Sequence, residues 1–170
     1  MNDLAWFNEL APEEARKELL KCCGATRWAE TVEHQRPYAS LEHLIGNANE
    51  VWWSLNEADW LEAFRSHPKI GERKAANAVS AQSQQWSAQE QQGVQNAAQE
   101  AVEKLAQLNV DYEKKFGFIF IVCATGKSTD EILALLEQRL PNDAAVELPI
   151  AAEEQAKITE LRLRKLLDHS

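Results

Sequence analysis

A titratable side chain, His67, stands in the stretch from Trp60 to Lys74 around which the chain is organised. Trp60, Leu61 and Phe64 recur at helical spacing, and Pro68 disfavours the αR region for its predecessor, so a helix should end at or before His67. Gly71 then permits a turn with positive φ. The imidazole would stand on a rigid helix-to-loop corner, ring outward, beside Arg65, Lys69, Arg73 and Lys74 in a chain that is otherwise acidic. As a local feature it would offset the dipole at a helix C-terminus. As a site it would be a proton carrier that titrates near neutrality.

Two further positions carry usable chemistry. Ser87 and Glu90 have the form of a capping box, which explains both without any ligand. A helix N-terminus also offers free N–H groups to an anion or a carbonyl oxygen and favours an ionised glutamate, so one geometry could serve both needs. Arg162 lies next to the apolar stripe of the last helix, one turn from Ile158 and from Leu166, where a half-buried guanidinium must find a partner. His34, His43, His67 and His169 show no paired metal-ligand spacing, so a metal centre is not expected. No phosphate loop, dinucleotide fingerprint or nucleophile elbow occurs, and Cys123, in an apolar run, reads as a core thiol.

The elements that would position these groups are almost all helices. Short helices are expected over residues 3–9, 12–23 and 25–33, the second opened by Pro12 and closed by Gly24. Ser40 can cap a helix whose stripe is Leu41, Leu44, Ile45, Ala48, Val51, Trp52 and Leu55, and Asn56 can cap the helix that delivers His67. Residues 75–85, rich in Ala, Gln and Ser, read as an ordered loop, and a long helix should follow from Ser87 to about Lys115. The run from Phe116 to Cys123 is β-like but has no partner strand in the chain, so a buried extended connector is expected, its backbone satisfied by side chains, waters or a ligand. Gly126 should end it. A second capping box, Ser128 with Glu131, opens a helix stopped at Pro141, and after a loop to about Pro149 the last helix carries Ile158, Leu161, Leu163, Leu166 and Leu167.

Composition bounds the class. The 170 residues, 45% hydrophobic and 26% charged, suit one compact domain with a real core. A net charge of −9 argues against a nucleic-acid binder, although a local basic cluster could still take an anionic small substrate. No apolar run suggests a membrane span, the N-terminus lacks the form of a leader, and Cys22, Cys23 and Cys123 show no disulfide framework. A cytoplasmic protein with reduced thiols is expected. The terminal Asp168-His169-Ser170 is not a peroxisomal address.

Taken together, His67-Pro68-x-Ile70-Gly71, Ser87-x-x-Glu90-Gln91, the alternating Phe116, Phe118 and Phe120 running to Cys123-Ala124, and Lys157-Ile158-Thr159-x-x-Arg162-Leu163 resemble one family. The chain is similar, from about Leu4 to Leu167, to 2-oxo-4-hydroxy-4-carboxy-5-ureidoimidazoline (OHCU) decarboxylases, including at Arg36-Pro37-Tyr38 and Ala58-Asp59-Trp60. The missing peroxisomal tail fits bacterial members better than vertebrate ones. The resemblance implies a single all-α domain over residues 1–170, usually a homodimer, working without a cofactor on a small ureidoimidazoline in uric acid degradation. It implies His67 as proton donor, Glu90 as acceptor for substrate N–H groups, Arg162 as partner of a polar substrate edge, and Ser87 and Gln91 as orienting groups. Pro68 would fix the approach of the ring, and the backbone of Phe120, Ile121, Val122, Cys123 and Ala124 would face the heterocycle. Lys69 and Arg73 read as solvated. A non-catalytic helical interaction domain, or a lyase or hydrolase acting on another ureide, are the competing readings.

Overall fold

The structure, a computed structural model, describes residues 3–67 and 99–167. Those residues form eight helices and no strand, as the periodicity leads one to expect. They are α1 (Leu4–Glu9), α2 (Pro12–Cys22), α3 (Thr26–His34), α4 (Leu41–Ser54), α5 (Glu57–Arg65), α6 (Gln99–Phe116), α7 (Thr129–Arg139) and α8 (Ala144–Leu167). The helix expected from Ser87 is described only as α6; its beginning and the 75–85 segment lie outside the described residues. The chain divides into two compact units, one of residues up to Ala63 and from Ala156 onward, the other Phe64–Gln155.

In the first unit α2 packs on α3 and α3 on α4, burying Phe7, Leu19, Trp28, Val32 and Leu44. Helix starts follow the sequence signals. Ser40 Oγ accepts the His43 N–H at 3.0 Å, and Asn56 Oδ1 accepts the Asp59 N–H at 3.0 Å. The Ala25 cap of α3 has no side-chain acceptor, so Glu62 supplies one, taking the Thr26 N–H at 3.0 Å and the Thr26 hydroxyl at 2.7 Å. The Arg36-Pro37-Tyr38 motif has a structural role. Arg36 Nη1 donates to the carbonyls of Phe7 at 2.6 Å and Leu10 at 2.9 Å, satisfying the end of α1, while Asn8 and Tyr38 exchange bonds of 3.0 and 2.9 Å.

The second unit is built around aromatic rings. Tyr112 lies 4.5 Å from Phe116, 5.8 Å from Phe118 and 5.2 Å from Phe120, and Phe64 lies 5.3 Å from Phe118, centroid to centroid. Helix α6 packs on α7, whose capping box joins Ser128 and Glu131 in both directions. One boundary differs from expectation: α8 starts at Ala144 and carries Pro149 inside it, where a loop was expected. A proline there removes one helical bond and crowds the preceding turn, at a cost of order ~3 kcal/mol. The compensation is Glu147 in the first turn, wholly buried and held by Arg139 Nε at 2.7 Å, by Arg139 Nη2 and by the Tyr112 hydroxyl. The carboxylate fixes that turn through tertiary bonds invisible to local propensity.

Candidate active site

His67 belongs to the second unit, two residues beyond the end of α5. Its N–H donates to the Phe64 carbonyl at 3.3 Å, one last turn before the chain leaves the helix, and Phe64 is anchored against Phe118. The corner is therefore where the sequence puts it, but the ring is not merely facing outward. His67 is partly buried, and its Nε2 lies 2.5 Å from Oε1 of Gln155, a residue with no exposed surface. An amide oxygen only accepts, so Nε2 carries a proton in this arrangement.

The connector is present and buried. No regular element covers residues 117–128, and Phe120, Ile121, Val122, Cys123 and Ala124 are all at most 7% exposed. Gly117 and Gly126 bracket it with φ of +80° and +78°, a region costly for residues with a Cβ. Side chains satisfy its backbone in the way the sequence demands. Glu154 Oε1 accepts the Cys123 N–H at 3.0 Å, Lys127 Nζ donates to the Cys123 carbonyl at 2.7 Å, and Arg139 Nη1 donates to the Ile121 carbonyl at 2.8 Å. The Arg139 guanidinium also stands over the Phe120 ring, 4.5 Å from its centroid. Burial pushes the Tyr112 phenol far above its ordinary range, and the hydrogen bond to Glu147 adds to the rise.

Arg162 belongs to the first unit and is more deeply placed than a half-buried residue, at 5% exposure. Its charge acts on the vicinal thiols and opposes their burial, but burial wins. Cys23 is pushed up to about 12 by desolvation against the Ala25 backbone, the Thr159 side chain and Arg162, and Cys22 is raised further by the same cause. Both stay protonated thiols, consistent with a structural rather than nucleophilic role.

Of the remaining expected site residues, Pro68, Ser87, Glu90 and Gln91 lie outside the described residues. Four polar residues that hold this region escaped the sequence reading: Lys127, Arg139, Glu154 and Gln155. Gln155 left a signal, since it falls in the apolar register of Ala151, Ala152 and Ile158 on the last helix. A polar residue in a buried register asks for a partner. Among the described residues no group of three or more His, Cys, Asp or Glu could hold a metal ion, and no helix is long and apolar enough to cross a membrane.

Comparison with known proteins gives a consistent result. Residues 8–164 match the family model described as OHCU decarboxylase. The chain is 40% identical over 158 residues to the uric acid degradation bifunctional protein TTL of Arabidopsis thaliana, covering 92% of this chain and 48% of that protein. It is 33% identical over 140 residues to the 2-oxo-4-hydroxy-4-carboxy-5-ureidoimidazoline decarboxylase of Amia calva, covering 82% of this chain and 79% of that one. A crystal structure of OHCU decarboxylase in the presence of (S)-allantoin aligns with a TM-score of 0.74 at 39% identity, over 88% of this chain and 96% of that one. The chain thus spans about half the length of the plant relative, and 32% of a bifunctional relative from a Bacillus species.

Proposed function

We propose, from the premise that the chain belongs to the OHCU decarboxylase family, that it converts 2-oxo-4-hydroxy-4-carboxy-5-ureidoimidazoline to (S)-allantoin in uric acid degradation. The observation that carries this reading is the match over residues 8–164, which takes in His67, the connector and Arg162 together. The chemistry is compatible with the residues at hand. Loss of CO2 from the ring carbon leaves an electron pair, and the adjacent C=N bond of the substrate can take it up without help from a cofactor. The protein must bind the substrate, strip water from its carboxylate, and deliver one proton to one face of the enol-type intermediate.

In this reading His67 is the proton donor, and its corner supports the role, because a ring anchored through Phe64 and Gln155 has a fixed approach. Glu90 accepts hydrogen bonds from ureido or ring N–H groups, Ser87 and Gln91 orient the same edge, and Pro68 limits the ring's approach. Arg162 meets a polar substrate edge with its planar fork. The backbone of residues 120–124 offers N–H and C=O groups to the heterocycle, and the pins at Ile121 and Cys123 support that role by holding the segment still. Residues 1–170 act as a single functional domain, without a cofactor, as a homodimer in the cytoplasm; the dimer and the location rest on the family resemblance and the sequence. A bacterial affinity remains part of the proposal, although the 40% identical relative is a plant protein.

The test is turnover. OHCU generated in situ from urate, with urate oxidase and hydroxyisourate hydrolase, should disappear faster with the protein than alone, with CO2 released in equal amount. Unchanged decay in the presence of folded protein would contradict the assignment and favour another ureide or an interaction domain.

A further inference from the structure

We propose that Gln155 is a positioning residue for His67, and that with its neighbour Glu154 it sets the histidine in register with the buried connector; the proposal rests on the decarboxylase reading. Two consecutive residues of α8 divide the task. Gln155 Oε1 lies 2.5 Å from His67 Nε2, and Glu154 Oε1 takes the Cys123 N–H at 3.0 Å. One short segment of helix therefore holds both the proton carrier and the backbone cradle. The helix is a rigid support for this, since Ala151, Ala152 and Gln155 have no exposed surface.

The choice of an amide has chemical content. A carboxylate in its place would stabilise the imidazolium and make its proton harder to release, whereas a neutral carbonyl orients the ring without that penalty. Protonated, the ring carries two N–H groups. The one on Nε2 is engaged by the amide oxygen, which fixes the orientation in which the ring presents its proton to the substrate carbon. Solvent returns a proton to the ring after product leaves. Without Gln155 the ring would sample other rotamers and the other tautomer, and a misaligned donor typically loses about 10- to 100-fold in rate.

The experiment combines histidine 15N NMR with kinetics on the wild-type protein and on Gln155→Met, which keeps the side-chain length and volume without an acceptor oxygen. Wild-type His67 should be in the Nε2–H tautomer when neutral, and Gln155→Met should lose that preference. Its kcat should fall about 10- to 100-fold with KM within about twofold. A wild-type ring in the Nδ1–H tautomer would overturn the proposal whatever the variant does. So would a Gln155→Met protein with unchanged tautomer and kcat, or one whose loss of activity only follows its loss of folded protein by circular dichroism. Absence of OHCU turnover by the wild-type protein would overturn the decarboxylase reading instead, and the tautomer comparison would still decide whether Gln155 sets the ring.

Discussion

At the scale of single residues, the side chains that matter most are those whose burial is out of proportion to their polarity. Arg162, at 5% exposure, is the sharpest discriminator between an enzyme and a helical scaffold. In a scaffold the loss of a buried arginine is read only as lost stability, whereas in an active site the protein that still folds loses turnover as well. In the folded fraction of Arg162→Leu, kcat/KM should therefore fall by about 100-fold as a charged donor is lost. Activity that falls only as the folded fraction falls would favour the scaffold. The helix corner at His67 and the drawing of Arg162 toward the core could be read from the chain because each breaks a local pattern: a titratable group before Pro68, and a cation next to an apolar stripe. Gln155 and Glu154 were harder, since Gln and Glu are ordinary helix residues and only their tertiary partners give them meaning.

At the scale of elements, the connector between α6 and α7 explains most of the second unit. It has no ladder to join, so the protein meets its backbone demand with Glu154, Lys127 and Arg139. Arg139 does this while paired with Glu147, both buried. Removing the cation leaves a carboxylate without its charge partner in an apolar surround, so Arg139→Met should destabilise the protein by about 3–5 kcal/mol, read as a lower urea midpoint by circular dichroism. A loss under about 1 kcal/mol would mean that Glu147 is satisfied without it. The connector, its closing Gly126, the Ser128 capping box and the caps at Ser40 and Asn56 could all be read from the chain, because each is local chemistry. The start of α8 could not. Local rules place Pro149 at or before a helix start, and what overrides them is an ion pair to Glu147 from Arg139 of the preceding helix.

At the scale of the whole molecule, stability should carry a signature of the buried thiols. Cys23 titrates at about 12 in the folded protein against an ordinary value of 9.0, and Cys22 is raised by the same burial. Above about pH 9 the unfolded chain releases thiol protons that the native state keeps, so the native state binds more protons and stability falls as pH rises. Each thiol contributes a slope of at most about 1.4 kcal/mol per pH unit, and Tyr112 adds to it from about pH 10. The urea midpoint should drop between pH 8 and pH 10, and the Cys22→Ala/Cys23→Ala protein should drop less. An equal drop in both would place the alkaline loss elsewhere. The all-helical class was plain from 3.6-residue periodicity and the single unpartnered β-like run, whereas the division at Ala63 and Ala156 left no compositional mark, because both points fall inside continuous helices. In the proposed reaction His67 gives one proton to one face of a decarboxylated intermediate. Its most direct test is the optical activity of allantoin formed from OHCU made in situ, followed by circular dichroism with wild-type protein and with His67→Ala. A lasting (S)-allantoin signal with wild type, absent with a folded His67→Ala protein, is the predicted result; an (S)-allantoin signal of equal size and rate from both would contradict it.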